Sequence, residues 1–151
     1  MRNLLLMALL VLAGCGSFHE VPEDYRPLER VKQSVLAPSG GIATIGDTAY
    51  VADLDAWLAK RPPGSPRYKA TLRHEQEHSK RQFADGVRSW TAKYMTDIGF
   101  MWAEEQVGWY YEIQTLRQWG LDVSPEAVAD ILKDYSNLRG PMVSYEEALA
   151  W

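Results

Sequence analysis

The chain has 151 residues, of which 46% are hydrophobic and 24% are charged. This length and composition suit one globular domain and exclude global disorder, collagen-like repeats and a protein with several membrane spans. Because 20 acidic residues outnumber 16 basic ones and leave a net charge of -4, the chain has no excess of positive charge for phosphates, and we expect no nucleic-acid partner.

The first fourteen residues have the pattern of an export signal. Arg2 supplies the positive charge, and the apolar run over 4–12 is too short to span a bilayer as a finished helix. The segment 12–15 has the sequence Leu-Ala-Gly-Cys and resembles the lipobox of bacterial lipoproteins. The resemblance implies that residues 1–14 are a signal peptide and that Cys15 is the lipidation site, which carries acyl chains such as palmitate.

Lipid on Cys15 would attach the protein to a bacterial membrane without a transmembrane helix. Gly16 follows the cysteine and resembles the pattern of lipoproteins sorted to the outer membrane, so we expect a domain that faces the periplasm. A secretory signal peptide with an incidental cysteine is the alternative. Cys15 is the single cysteine of the chain, so the domain has no intramolecular disulfide and needs a core or a metal to hold it.

The mature chain begins with a predicted tether and a predicted hairpin. Residues 15–38 are rich in proline and charge, which indicates a tether with a short helix near 28–36. Residues 39–151 form the predicted domain. Within it, Ile42–Ile45 and Thr48–Val51 flank Gly46-Asp47 and predict two strands joined by a tight turn.

The rest of the chain predicts helices. Asp53 is a suitable N-cap for a short helix through Leu58, and Ser65-Pro66 and Ser124-Pro125 are helix starts. With Gly86, Gly120 and Gly140 as stops, the longer helices are expected at about 66–85, 89–96, 98–118 and 125–137, with one more turn in the tail. The predicted fold class is therefore α+β, mainly α with a small β-hairpin. The six Trp are interpreted as core residues rather than as a stacking surface.

His74, Glu75 and His78 form the pattern H-E-x-x-H inside the first long predicted helix. Two imidazoles four residues apart emerge on one helix face and can hold one Zn²⁺ at about 2.0–2.1 Å each. Glu75 lies about 100° round the helix, where it can act as general base on a water. The alternative is a polar helix face that carries two surface histidines.

A zinc site needs a third protein ligand, and the metzincin extension of the motif is absent, since Arg81 and Ala84 stand where it has Gly and His. His19, the remaining histidine, lies in the predicted tether. We therefore expect a carboxylate from the helix at 98–118. Glu105 lies in the middle of its most apolar stripe, where a buried charge needs a partner or a metal.

Glu105 ranks first as the third ligand, followed by Glu112 and Glu104. A buried salt bridge to Arg73 or Arg88 is the alternative for Glu105. Gly108, one turn beyond Glu105, would admit the close approach of another backbone.

The pattern H-E-x-x-H on one helix with a glutamate on a following helix resembles the gluzincin branch of zinc metallopeptidases, over about residues 40–115. The resemblance implies a minimal zincin-like domain, Zn²⁺ as cofactor, His74, His78 and Glu105 as metal ligands, and Glu75 as catalytic base. The hairpin resembles the one whose edge strand aligns an extended peptide in small zincin-like domains. Candidate donors for the oxyanion are Tyr94, Tyr110 and Tyr111.

The leading hypothesis is a lipid-anchored zinc-dependent hydrolase, a metallopeptidase with a peptide or protein substrate. A protein of the bacterial envelope is the further partner that we expect. The alternative is a catalytically inactive structural or adaptor lipoprotein that retains the zincin fold. An amidase acting on cell-wall peptides would share the metal chemistry and differ in substrate.

Overall fold

The structure, a computed structural model, describes residues 17–151. The predicted signal peptide at 1–14 and the predicted lipidation site at Cys15 lie outside the described residues. Within 17–151, no helix combines the length and the hydrophobicity that a bilayer crossing requires.

Four short strands form one mixed sheet. They are listed in chain order as β1 (Phe18–Glu20), β2 (Arg30–Gln33), β3 (Ile42–Ile45) and β4 (Thr48–Val51). The spatial order is β1-β2-β4-β3, with β2 parallel to β4 and the other two pairs antiparallel. The predicted hairpin is confirmed at its predicted bounds, and Gly46 has a φ of 62° in the turn, a backbone conformation that favours glycine. Strand β3 lies at one edge of this sheet.

The N-terminal segment belongs to the folded body, which differs from the predicted tether. It supplies β1 and β2, and the short helix predicted near 28–36 is wrong because 30–33 is strand β2. Leu28 and Val31 are fully buried, and the Gln76 amide donates to the carbonyls of Asp24 and Arg26 at 3.1 and 2.7 Å. The local sequence does not show this, since β2 gains its hydrogen bonds from β1 and from the distant β4.

Six helices follow in the described chain: α1 (Leu54–Lys60), α2 (Pro66–Asp85), α3 (Val87–Thr96), α4 (Ile98–Gln118), α5 (Pro125–Leu132) and α6 (Tyr145–Leu149). The predicted bounds of α2 and α4 are confirmed. The predicted caps also form, since Asp53, Ser65 and Ser124 each accept a hydrogen bond from a backbone N–H in the first turn. The fold is therefore mixed α+β and mainly helical.

The helix predicted to reach residue 137 ends earlier, at Leu132. Ser136–Asn137 and Gly140–Pro141 form a second small hairpin, β5–β6. The Tyr135 carbonyl accepts a hydrogen bond from the N–H of Met142 at 2.8 Å. This pairing turns the chain back after α5 and directs Tyr135 toward the centre of the domain, where it lines a cavity.

Helix α2 lies between two hydrophobic clusters. One cluster packs the sheet and α1 against α2 and includes Trp57, Tyr68 and Leu72, and the other packs α4 against α5 and α6 and includes Trp109 and Leu132. The interpretation of the tryptophans as core holds only in part. Trp57, Trp90 and Trp109 are buried, but Trp119 and Trp151 are about half exposed.

If the N-terminal segment is part of the fold, truncating a buried side chain in it must destabilise the whole domain. Leu28→Ala is expected to lower the free energy of unfolding by about 2–5 kcal/mol, because it leaves a cavity beneath the sheet. Urea denaturation measures this change. Val35→Ala is the matched control, since Val35 is 86% exposed in the same segment. Equal, small effects of both substitutions would contradict the observed packing.

Candidate metal centre

Three side chains from two helices converge within the domain. The Nε2 atoms of His74 and His78 are 3.0 Å apart. Of the Glu105 carboxylate, Oε2 lies 3.5 Å from Nε2 of His74 and Oε1 lies 3.3 Å from Nε2 of His78. Two ligand atoms at about 2.05 Å from a tetrahedral zinc are about 3.3 Å from each other. The three separations therefore match those of ligands around one zinc ion.

Burial makes this cluster unlike a surface group of polar residues. His74, His78 and Glu105 are only 4%, 6% and 2% exposed. Within the described chain, Oε2 of Glu105 and Nδ1 of His78 have no hydrogen-bond partner. A buried carboxylate oxygen without a donor is costly, and a cation held between the three groups removes that cost. The donor set of two nitrogens and one carboxylate oxygen suits Zn²⁺.

Glu112 orients the first histidine instead of joining the cluster. Its Oε2 atom lies 3.0 Å from Nδ1 of His74, and the Thr71 hydroxyl lies 3.4 Å from its other oxygen. A proton on Nδ1 directed at Glu112 leaves the lone pair of Nε2 facing His78 and Glu105. Histidine ligands of metals commonly have such a carboxylate behind them.

Glycine at position 108 makes room for the His74 ring. A Cβ atom on Gly108 would lie 2.4 Å from Nε2 of His74 and 2.5 Å from Cδ2. The His74 imidazole therefore packs directly against the α4 backbone at Gly108. From the sequence we expected another backbone to approach Gly108. The structure instead places the His74 side chain there.

Glu104 has a different partner. Arg81 donates to both of its carboxylate oxygens at 2.6 Å, and Glu104 is 1% exposed. Among residues 17–151, neither Arg73 nor Arg88 forms an ion pair with Glu105. Of the three ranked glutamates, Glu105 is the one that meets both histidines.

The electrostatics of the cluster favour a cation at its centre. Burial disfavours the charged form of His74, but the Glu105 and Glu112 carboxylates beside its ring outweigh burial and raise the pKa of His74 well above its usual value. Burial acts to raise the pKa of Glu105, but His78 and His74 hold that pKa well below its usual range. The carboxylates around His74 therefore favour positive charge within the cluster, which is the charge that a metal ion would supply.

Glu75 lies beside this cluster and is tied to the sheet. It is 3% exposed, and its Oε2 atom accepts a hydrogen bond from the Thr44 hydroxyl at 2.7 Å. The Gln82 amide fixes the same strand to α2, donating to the Thr44 carbonyl at 2.8 Å and accepting from the Gly46 N–H at 2.7 Å. Edge strand β3 and the glutamate of the motif therefore hold a fixed distance from each other.

Both histidines and both glutamates face a small cavity of about 50 Å³. This volume holds a few water-sized groups. The remaining lining comes from β3 and from three aromatic side chains: Trp90, Tyr94 and Tyr135.

The tyrosines divide into two groups. Tyr94 donates its hydroxyl to Oε1 of Glu105, whereas Tyr110 and Tyr111 line a separate groove. Tyr135 also lines the cavity, and the sequence analysis missed it because the residue fell inside a predicted helix. Burial raises the pKa of Tyr94 and of Tyr135 well above the usual value for tyrosine, so both phenols are neutral hydrogen-bond donors.

No protein-family model, curated protein or solved structure matches this chain. The geometry of the cluster and the chemistry of its residues are therefore the observations that bear on function.

The contact between Gly108 and His74 gives a direct test of the metal centre. Gly108→Ala is expected to abolish stoichiometric zinc binding, because the new methyl group occupies the position of the imidazole. Gly99→Ala in the same helix is the control, since a Cβ atom there meets its nearest neighbour at 3.4 Å. Metal analysis of the purified variants gives the zinc content. Full zinc occupancy in Gly108→Ala would show that the metal does not use His74 in the observed position.

Proposed function

We propose that this chain is a zinc-dependent hydrolase of peptide bonds, a zincin-like domain of the gluzincin type. The observation that carries the proposal is the convergence of His74, His78 and Glu105 in one cavity with Glu75. A buried set of two imidazoles and a carboxylate, with a second carboxylate that does not join it, supplies both a metal site and a base.

The residues of the cavity have distinct roles in this proposal. His74, His78 and Glu105 would hold the zinc ion, which when bound polarises a substrate carbonyl and lowers the pKa of a water. The Glu75 carboxylate accepts a proton from the attacking water and returns it to the leaving amine. The hydrogen bond from Thr44 orients this carboxylate through Oε2 and leaves Oε1 for the proton.

Strand β3 supports a peptide as the substrate. It is an edge strand, paired with β4 alone in its sheet, and Ile42, Ala43 and Thr44 line the cavity. An extended peptide can add to such an edge through backbone hydrogen bonds. Because the Thr44 carbonyl already accepts from Gln82, the pairing would use the part of β3 that precedes Thr44.

Tyr135 is the residue that we assign to stabilise the oxyanion. A neutral hydroxyl that faces the developing charge is the usual device for this role. The hydroxyl of Tyr94 is engaged with Glu105, which leaves Tyr135 as the second phenol of the cavity.

Attachment to a bacterial membrane through lipid on Cys15 is part of the proposal and rests on the lipobox pattern. Strand β1 begins at Phe18, so two residues separate it from Cys15. An acyl anchor at Cys15 would hold the domain close to the membrane surface. We place this surface at the outer membrane, facing the periplasm.

The second candidate is a structural or adaptor lipoprotein with a metal site that only stabilises the fold. The size of the cavity favours this alternative, because about 50 Å³ is far below the ~300–1,000 Å³ of usual ligand pockets. A bound metal would then raise the stability of the domain without turnover.

Zinc stoichiometry tests the metal site itself. The purified protein is expected to hold one zinc ion per chain, to lose it in His74→Ala, and to lose thermal stability when EDTA removes the metal. His19→Ala is the control, because His19 contacts Tyr68 outside the cluster. Metal content near zero in both the parent protein and His74→Ala would end the proposal.

Substitution of the proposed general base tests catalysis separately from metal binding. Glu75→Gln is expected to keep its zinc and to lose about 10²–10⁴-fold in the rate of casein or peptide hydrolysis, which is the usual contribution of a general base. Glu77→Gln is the matched control, since Glu77 pairs with Lys80 on the same helix. If the zinc-loaded parent protein cleaves no peptide while EDTA still lowers its melting temperature, the structural alternative holds.

A further inference from the structure

A second cavity lies between α2 and α4 and shares no lining residue with the metal centre. It encloses about 540 Å³, which falls in the usual range for sites that bind small ligands. We call it the α2–α4 groove, and the side chains that define it are Lys69, Arg73, Tyr110, Tyr111, Gln114 and Trp119. The size and the mixed lining are those of a ligand site.

Two cations of the groove have no carboxylate partner. Among residues 17–151, neither Lys69 nor Arg73 forms an ion pair. Asp24 is the one acidic residue in the lining of this groove. Within a chain of net charge -4, the groove is therefore a local site of positive charge, and it fits a ligand with an acidic group.

Each cation lies beside a different aromatic ring. Nζ of Lys69 is 4.4 Å from the ring centroid of Trp119, and the guanidinium carbon of Arg73 is 5.5 Å from that of Tyr111. Lys69 and Arg73 are four residues apart on α2, so their positions are separated by about 6 Å along the helix axis. The groove thus presents two successive pairs of an aromatic ring and a cation.

The aromatic rings are open to a ligand. Tyr110 is 55% exposed and Trp119 is 52% exposed, although large aromatic side chains usually bury most of their surface. The Gln114 and Gln118 amides line the same groove. The groove therefore offers flat apolar faces for stacking, with donors and acceptors for hydroxyl groups beside them.

We propose that the α2–α4 groove binds a saccharide that carries a carboxylate. Its sugar rings stack on the exposed aromatic side chains, its hydroxyls bond to the glutamine amides, and its acidic group meets Lys69 and Arg73. A saccharide fits this lining because it combines flat ring faces, hydroxyl groups and an acidic substituent in adjacent positions. A nucleotide would instead place one stacking base at one end and its charge at the other.

Titration calorimetry with two disaccharides tests this proposal on the full chain. The probe is glucuronic acid linked to N-acetylglucosamine, and N,N′-diacetylchitobiose (chitobiose) is its neutral counterpart without a carboxylate. The acidic disaccharide is expected to bind about tenfold more tightly than chitobiose, and added salt should weaken its binding. A change in tryptophan fluorescence should accompany the binding, because Trp119 lies in the groove.

Substitutions inside and outside the α2–α4 groove test whether the disaccharide binds there. Lys69→Gln and Trp119→Ala are each expected to weaken the acidic disaccharide about tenfold, through loss of a charge or of a stacking face. Phe83→Ala is the control, because Phe83 is 52% exposed and lies outside the groove, beside the β3–β4 turn.

Four outcomes would overturn the proposal: no binding of either disaccharide, equal binding of both, unchanged affinity in Trp119→Ala, or tighter binding of adenosine monophosphate than of the acidic disaccharide. Lys69 and Trp119 are not among the residues that line the metal cavity. Disaccharide binding is therefore measured separately from zinc content and from hydrolysis.

Discussion

The structure depends on one buried contact, in which two imidazoles of α2 meet a carboxylate of α4. The side chains of His74, His78 and Glu105 can all bind a cation. They lie within about 3.5 Å of one another and are almost completely buried. Such a group is unstable unless a proton or a metal lies among its atoms. A cation bound there would join the two longest helices of the described chain, and the surrounding contacts hold those helices in place.

Several contacts hold α2 and α4 in this relative position. Gly108 brings the α4 backbone against the His74 ring, and Glu112 holds the far side of the same ring. The ion pair between Arg81 and Glu104 joins α2 to α4 a second time. Gln82 joins α2 to the β3–β4 hairpin through two hydrogen bonds. A substitution at any of these points is expected to disturb the cluster without removing any of its three groups.

The sequence predicted the local features of the fold well. The hairpin, the caps and the bounds of the long helices follow from turn glycines, N-cap residues and helix-start prolines, all of which act over a few residues. The motif on α2 and the apolar stripe around Glu105 were also visible, because both depend on helical period alone. The pairing of Glu105 with both histidines then required only that the two helices pack with these faces together.

The features that the sequence analysis missed depend on contacts between distant segments. Strand β2 pairs with β4 across an intervening loop and hairpin strand, and no local pattern in 28–36 reveals that partner. Tyr135 reaches the cavity because the chain reverses after α5. The ranking of Glu112 and Glu104 below Glu105 followed the stripe, but their actual partners, His74 and Arg81, come from α2 and could not be assigned without the packing.

Helix α2 contributes one face to the candidate metal centre and another face to the α2–α4 groove. Arg73 and His74 are adjacent, so they point about 100° apart on one helix, and Tyr111 and Glu112 stand in the same relation on α4. The groove and the metal centre therefore use the same pair of backbones. A metal ion that fixes α2 against α4 also fixes the spacing between the cations of one groove wall and the rings of the other.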